Sequence, residues 1–183
     1  MLRPSQIPNA ICVLRILLVL PTVGALLAGQ FALALLLVFA AGFSDALDGY
    51  LAKRFDWRSR IGGLLDPLAD KLLLVSLFVT LVALGRIPAW LAGVVIGRDM
   101  IIVAGGLLYN FTIGPVQPEP SRASKLNTLA QLACIVGVLA REALAVPLAP
   151  FITAAGAAVL VTSVVSGLDY VIRWGAKARH ARA

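Results

Sequence analysis

Four aspartates in a hydrophobic chain have the clearest capacity for chemistry: Asp45, Asp48, Asp66 and Asp70. They lie on two otherwise apolar segments, where a carboxylate is costly unless it meets a cation or a wet cavity. On a helix Asp45 and Asp48 are three residues apart and Asp66 and Asp70 four apart, so each pair shares one face with Cβ atoms roughly 5–6 Å apart. The short basic stretch between them, with Lys53, Arg54, Arg58 and Arg60, is expected to bring the two faces together. Carboxylates crowded in this way repel, and some take up protons unless a divalent cation neutralises them. An oxygen-only donor set suits Mg2+ or Mn2+, and the stretch holds no Cys or His that would favour zinc. The competing reading is ion pairing of Asp45 and Asp48 with Lys53 and Arg54 at a membrane interface.

The elements that must position these groups are transmembrane helices. With 60% hydrophobic residues over 183 positions and a mean hydropathy of +0.94, the chain is far more apolar than a soluble domain. Six apolar runs, each near the roughly 20 residues a helix needs to cross hydrocarbon, extend over Ile11–Ala28, Phe31–Leu51, Gly63–Leu84, Pro88–Tyr109, Leu126–Ala145 and Leu148–Ile172. The expected fold is all-α, a polytopic membrane protein built as a bundle of six transmembrane helices. No repeat or low-complexity tract divides it, and residues 1–183 read as a single domain.

Charge places the bundle. The net charge of +7 comes from basic residues clustered between apolar runs, which fits anionic lipid headgroups and not nucleic acid. If six spans alternate, Arg3, the Lys53–Arg60 group, Arg122, Lys125 and the tail from Arg173 to Arg182 share one side, with only Arg86 and Arg141 opposite. The positive-inside rule then puts both termini and the aspartate end in the cytoplasm, in a multi-pass protein of the cytoplasmic (inner) membrane. Arg3 and the small residues Ala28 and Gly29 also resemble signal-peptide features, but the first run is long for one and contains Arg15, so an uncleaved first helix is expected.

Several further residues are candidates. Pro8 suits a helix start, and Asn9 beside it can offer an amide to a ligand. Arg15, about two turns in, either points inward or snorkels to the headgroups. Arg98, in the fourth run, is a candidate for binding an acceptor phosphate, or else a buried pair with an aspartate of the site; as helix neighbours, Arg98 and Asp99 need not pair. Arg122 and Lys125 at the start of the fifth helix add donors to a favourable dipole end, which suits a phosphate, though positive-inside marking explains them as well. Gly93 and Gly97 permit close helix approach within or between subunits. Trp57, Trp90 and Trp174 fall at span ends as anchors. Cys12 and Cys134 are expected as free thiols, and His180 as a headgroup contact in the basic tail.

The aspartate stretch resembles the signature of the CDP-alcohol phosphatidyltransferases, Asp-x2-Asp-Gly-x2-Ala-Arg-x8-Gly-x3-Asp-x3-Asp. Asp45, Asp48, Gly49, Ala52, Gly62, Asp66 and Asp70 match it, and Lys53 stands where the family usually has Arg. Lys keeps the charge and loses the planar fork, and Arg54 follows immediately to share the role. The resemblance implies transfer of a phosphatidyl group from CDP-diacylglycerol to a hydroxyl, with release of CMP. It implies that Asp45, Asp48 and Asp66 hold two divalent ions with help from Asp70, and that Asp70 is the general base. Gly49, Ala52 and Gly62 remove bulk where a nucleotide would press against backbone, and Lys53, Arg54 and Asn9 would contact the nucleotide; helix packing and cytoplasmic anchoring are the plainer alternatives for these positions. The Ile-x-Arg-Asp and Ser-Lys-x-Asn-Thr pieces, at Ile96–Asp99 and Ser124–Thr128, resemble the glycerol-acceptor branch, with phosphatidylglycerol or glycerol 3-phosphate as acceptor. The family likeness further implies a homodimer.

Three rivals remain at this point. An inositol-phosphate or other alcohol acceptor would keep the chemistry and change the product. An ion or proton transporter would explain the carboxylates but not Gly49, Ala52 and Gly62 at these intervals, and a non-catalytic scaffold would not explain four costly aspartates.

Overall fold

The computed structural model describes the backbone of residues 7–54, 62–112 and 121–180, and side chains over 13–44, 69–105, 121 and 123–172. Among the described residues the elements are six α-helices, with no strand: α1 (Ile7–Leu27), α2 (Phe31–Arg54), α3 (Gly62–Ala83), α4 (Ala89–Thr112), α5 (Arg122–Leu144) and α6 (Ala149–His180). Each coincides with one apolar run. The helices extend beyond the runs at several ends: α1 and α5 each begin four residues early, α2 and α4 each end three residues late, and α6 continues past Ile172 into the basic tail.

Local chemistry sets the boundaries. At the end of α1, Gly29 adopts φ 72°, and the amides of Gly29 and Gln30 donate to the carbonyls of Leu26 (3.0 Å) and Ala25 (2.8 Å). The end of α3 repeats this pattern at Gly85 (φ 67°), where Gly85 N donates to Val82 O at 2.9 Å and Arg86 N to Leu81 O at 2.8 Å. Both are Schellman closures, which need a residue without a Cβ in the left-handed region. The early start of α5 has its cause in Ser121, whose hydroxyl accepts from the Ser124 amide at 3.2 Å and so caps the helix.

Beyond α5, Ala145 holds φ 52° with a side chain that disfavours it. Replacing Ala145 by Gly is expected to stabilise the protein by about 0.5–1 kcal/mol, the left-handed penalty less the extra entropy of an unfolded glycine. A thermal melt of the detergent-solubilised variant checks this, and a lowered midpoint would contradict it.

The chain forms two compact units. Unit 1 comprises Met1–Arg86 with Ile135–Leu148, and unit 2 comprises Ile87–Cys134 with Ala149–Ala183. In unit 1, α1 packs on both α2 and α3 around buried Leu26, Ala34, Val38, Leu77, Phe78 and Leu81. In unit 2, α4 packs on α6 around Leu91, Val95 and Val159, with Gly156 of α6 facing Leu91. Large apolar side chains such as Leu20, Leu36, Phe43, Leu129 and Ile172 point outward, the inverse of a water-soluble surface.

Two described helical stretches, Ala123–Leu144 and Ala149–Ile172, are long and apolar enough to cross a membrane. The described apolar parts of the first two helices, Val13–Leu27 and Phe31–Ser44, are shorter. The expectation of six spans is thus met as six helices, of which two satisfy length and hydropathy within the described residues. Buried Cys134 is a free thiol, as expected; Cys12, Trp57 and the side chains of Trp174 and His180 lie outside the described residues.

Candidate functional site

Helix α2 runs unbroken through Asp45, Asp48, Gly49, Ala52 and Lys53 to Arg54, and α3 starts at Gly62 and continues through Asp66 and Asp70. Both carboxylate pairs therefore keep the helical spacing on which their expected convergence depends. The side chains of Asp45, Asp48, Lys53, Arg54 and Asp66, like those of Asn9 and Arg122, lie outside the described residues, as do the surroundings of Gly49, Ala52 and Gly62. Among the described residues no group of three or more His, Cys, Asp or Glu could hold a metal ion.

Asp70 is the described member of the four. Its neighbours Ala69 and Leu73 are buried on α3, while its own side chain stays 43% exposed. Arg15 of α1 donates from Nη1 to Asp70 Oδ1 at 2.9 Å, and the Arg15 side chain is only 1% exposed. Of the two orientations open to Arg15 in the sequence, the inward one is found. A guanidinium so removed from water needs a charged partner, and α3 supplies it.

The second polar centre lies in unit 2. Arg98 donates from Nη1 to Asp99 Oδ1 at 2.6 Å and from Nη2 to both Ser124 Oγ (2.7 Å) and Ser166 Oγ (2.6 Å). Arg98 thereby ties α4 to α5 and α6. Its Nε, also buried, has no hydrogen-bond partner among the described atoms. The pairing that the sequence left open between these helix neighbours is found: Arg98 and Asp99 do pair. Both are buried, and the long Arg side chain curls back to the adjacent carboxylate because a guanidinium removed from water gains most from an opposite charge, which the two serine hydroxyls do not supply. Gly167, flanking Ser166, lies against this side chain, and a Cβ there would meet Arg98 Cγ at 3.8 Å, an ordinary packing distance.

A turn further along α5, Asn127 Oδ1 accepts from Ser163 Oγ at 2.8 Å and lies 2.9 Å from Thr162 Oγ1, which shares its one proton with Ala158 O at 2.6 Å, while its buried Nδ2 has no partner among the described atoms. Ser163, Ser166 and Thr162 were not singled out in the sequence, and Asn127 entered only as part of the Ser-Lys-x-Asn-Thr piece. Their signal was present as hydroxyls three or four residues apart in an apolar helix. Lys125 is exposed in the first turn of α5, next to Ser124 in sequence and outside this hydrogen-bonded cluster.

Elsewhere in unit 1, Glu142 binds Arg86 (3.0 Å) and Arg141 (2.7 Å), with Arg86 stacked 5.5 Å from the Phe31 ring centroid. These partly exposed pairs are modest fasteners between the α3 end, α2 and α5.

Comparison with known proteins bears on the same residues. The family model for CDP-alcohol phosphatidyltransferase matches residues 5–168. A probable cardiolipin synthase (CMP-forming) of Drosophila melanogaster is 36% identical over 70% of this chain and 45% of its own length. The cardiolipin synthase (CMP-forming) of Homo sapiens is 33% identical over 75% of this chain and 51% of its own. A Bacillus subtilis protein, CDP-diacylglycerol--glycerol-3-phosphate 3-phosphatidyltransferase, is 33% identical over 74% of this chain and 69% of its own. The chain thus spans about half the length of the cardiolipin synthases and more of the bacterial relative. With a family match from near the start of α1 into α6, and the aspartate signature inside it, the chain belongs to the CDP-alcohol phosphatidyltransferase family.

Proposed function

We propose that the chain transfers a phosphatidyl group from CDP-diacylglycerol to a glycerol-type hydroxyl, with phosphatidylglycerol giving cardiolipin or glycerol 3-phosphate giving phosphatidylglycerophosphate. The observation that carries this is the signature from Asp45 to Asp70 on two continuous helices inside the family match. The relatives named for these two products support the glycerol branch. The single match also runs through both units, which supports treating residues 1–183 as one catalytic domain.

In the proposed reaction the acceptor oxygen attacks the phosphorus that carries diacylglycerol. A new P–O bond forms, the P–O bond to CMP breaks, and its electron pair leaves with CMP. The acceptor's proton passes to Asp70, whose half-exposed carboxylate is open to a substrate. Asp45, Asp48 and Asp66, with Asp70, would supply an all-carboxylate donor set of the kind that suits hard divalent ions, two Mg2+ or Mn2+. Bound there, such ions neutralise a pyrophosphate and stabilise attacking and leaving oxygens. Gly49, Ala52 and Gly62 leave space for the nucleotide, and Lys53, Arg54 and Asn9 contact it. Arg98, Arg122 and Lys125 bind the acceptor phosphate, a role supported by the charge and the unpartnered Nε of Arg98.

The chain crosses the cytoplasmic membrane six times with the aspartate end in the cytosol. It works as a homodimer, supported by exposed Gly93 and Gly97, which have no close neighbour within unit 2.

Purified protein given CDP-diacylglycerol and Mg2+ tests this, with glycerol 3-phosphate and phosphatidylglycerol offered separately and products identified by mass. CMP with one matching lipid product is the expected result. No CMP with either acceptor would overturn the proposal, and ion flux in vesicles without lipid turnover would replace it by a transporter.

A further inference from the structure

We propose that Arg15, outside the signature and on a different helix, is the positioning residue that fixes the orientation of the Asp70 carboxylate. The inference rests on the role of Asp70 proposed above. What carries it is the asymmetry of the pair. The Arg15 side chain is 1% exposed and that of Asp70 is 43% exposed, with 2.9 Å between Nη1 and Oδ1. The cation is sealed inside unit 1, where α1 packs on α3, while the anion is presented outward.

A fastener between two helices would not call for this arrangement. An ion pair that only holds helices together is commonly matched or bettered by apolar side chains of similar volume, and an Arg this near a helix start can extend its head to water. Arg15 does neither. A buried guanidinium holds one carboxylate oxygen by a directional, charge-assisted hydrogen bond, and so restricts how the half-exposed carboxylate can turn. Asp70 is placed for a reacting hydroxyl before substrate arrives. Preorganisation of this kind matters because a misplacement of about 1 Å in a reacting group can cost on the order of a hundredfold in rate.

The test uses the full chain with Arg15→Gln, Arg15→Lys, Asp70→Asn and Arg15→Gln/Asp70→Asn, each purified and its folded fraction measured by size exclusion. Arg15→Gln is expected to lower kcat per folded molecule about a hundredfold, with KM for CDP-diacylglycerol within about threefold of the parent. Arg15→Lys keeps the charge and loses the planar fork, and about a tenfold loss in kcat is expected. Because Arg15 acts through Asp70, the double variant is expected to be no slower than Asp70→Asn alone.

Losses that multiply in the double variant would overturn the proposal. So would a kcat per folded molecule that stays at the parent value while the folded fraction falls, since Arg15 would then only hold α1 on α3. If Arg15→Gln does not fold, Arg15→Lys decides: an unchanged kcat overturns the proposal. A parent protein silent with CDP-diacylglycerol would instead sink the transferase reading, so the two failures are distinct.

Discussion

Replacing Asp66 by Asn is expected to remove metal-dependent CMP release, by about a thousandfold or more, which is about 4 kcal/mol of transition-state stabilisation. Asp66 stands in the signature on α3 one turn before Asp70, and its proposed role is to hold a divalent ion. An amide keeps the size of the side chain and one oxygen but loses the charge that a hard cation requires. The same loss is expected for the parent protein in a chelator, with recovery when Mg2+ is restored. Near-parental CMP release by the Asn variant would refute the assignment, and retention of activity in excess chelator would refute the metal.

Arg98→Lys is expected to have the next largest effect, and a more selective one. Loss of the forked donor set removes charge-assisted hydrogen bonds worth about 1.5–3 kcal/mol, or about ten- to a hundredfold in KM for the phosphate-bearing acceptor. KM for CDP-diacylglycerol is expected to stay near its parental value. Lys is the informative replacement because it keeps a cation beside Asp99, so that carboxylate is not left buried without a charge. Steady-state titration of each substrate checks this. An equal rise in both KM values would mark Arg98 as a structural tie among α4, α5 and α6.

The sequence showed the helices well, and the side-chain partnerships poorly. Apolar runs of spanning length, punctuated at Gly29 and Gly85, sufficed to place α1 to α4. At α5 the apolar run began only at Leu126, although Arg122 and Lys125 were read at the helix start; the Ser121 hydroxyl that caps that polar first turn was not recognised. The basic tail beyond Ile172 stays helical in α6 because Ala, Lys and Arg are good helix formers whatever their polarity.

Partnerships were harder for a physical reason. A helix apolar on nearly every face carries little moment to say which side is inward. Arg15 was therefore open to two orientations until α3 was seen to bring Asp70 beside it. Arg98 and Asp99 met because burial outweighed the neighbour rule. The remaining residues of the candidate site, Asp45, Asp48 and Asp66 above all, stand on the motif and the family match.

The Asn127 contacts restrict how unit 2 can move. Asn127 engages two adjacent residues of α6, Thr162 and Ser163, and is itself almost completely buried. Were α6 to slide lengthwise by one turn, about 5.4 Å, both hydroxyls would leave the buried Asn127 carbonyl. Piston-like travel of α6 along α5 is thus strongly resisted, whereas a tilt that pivots near Asn127 keeps both bonds.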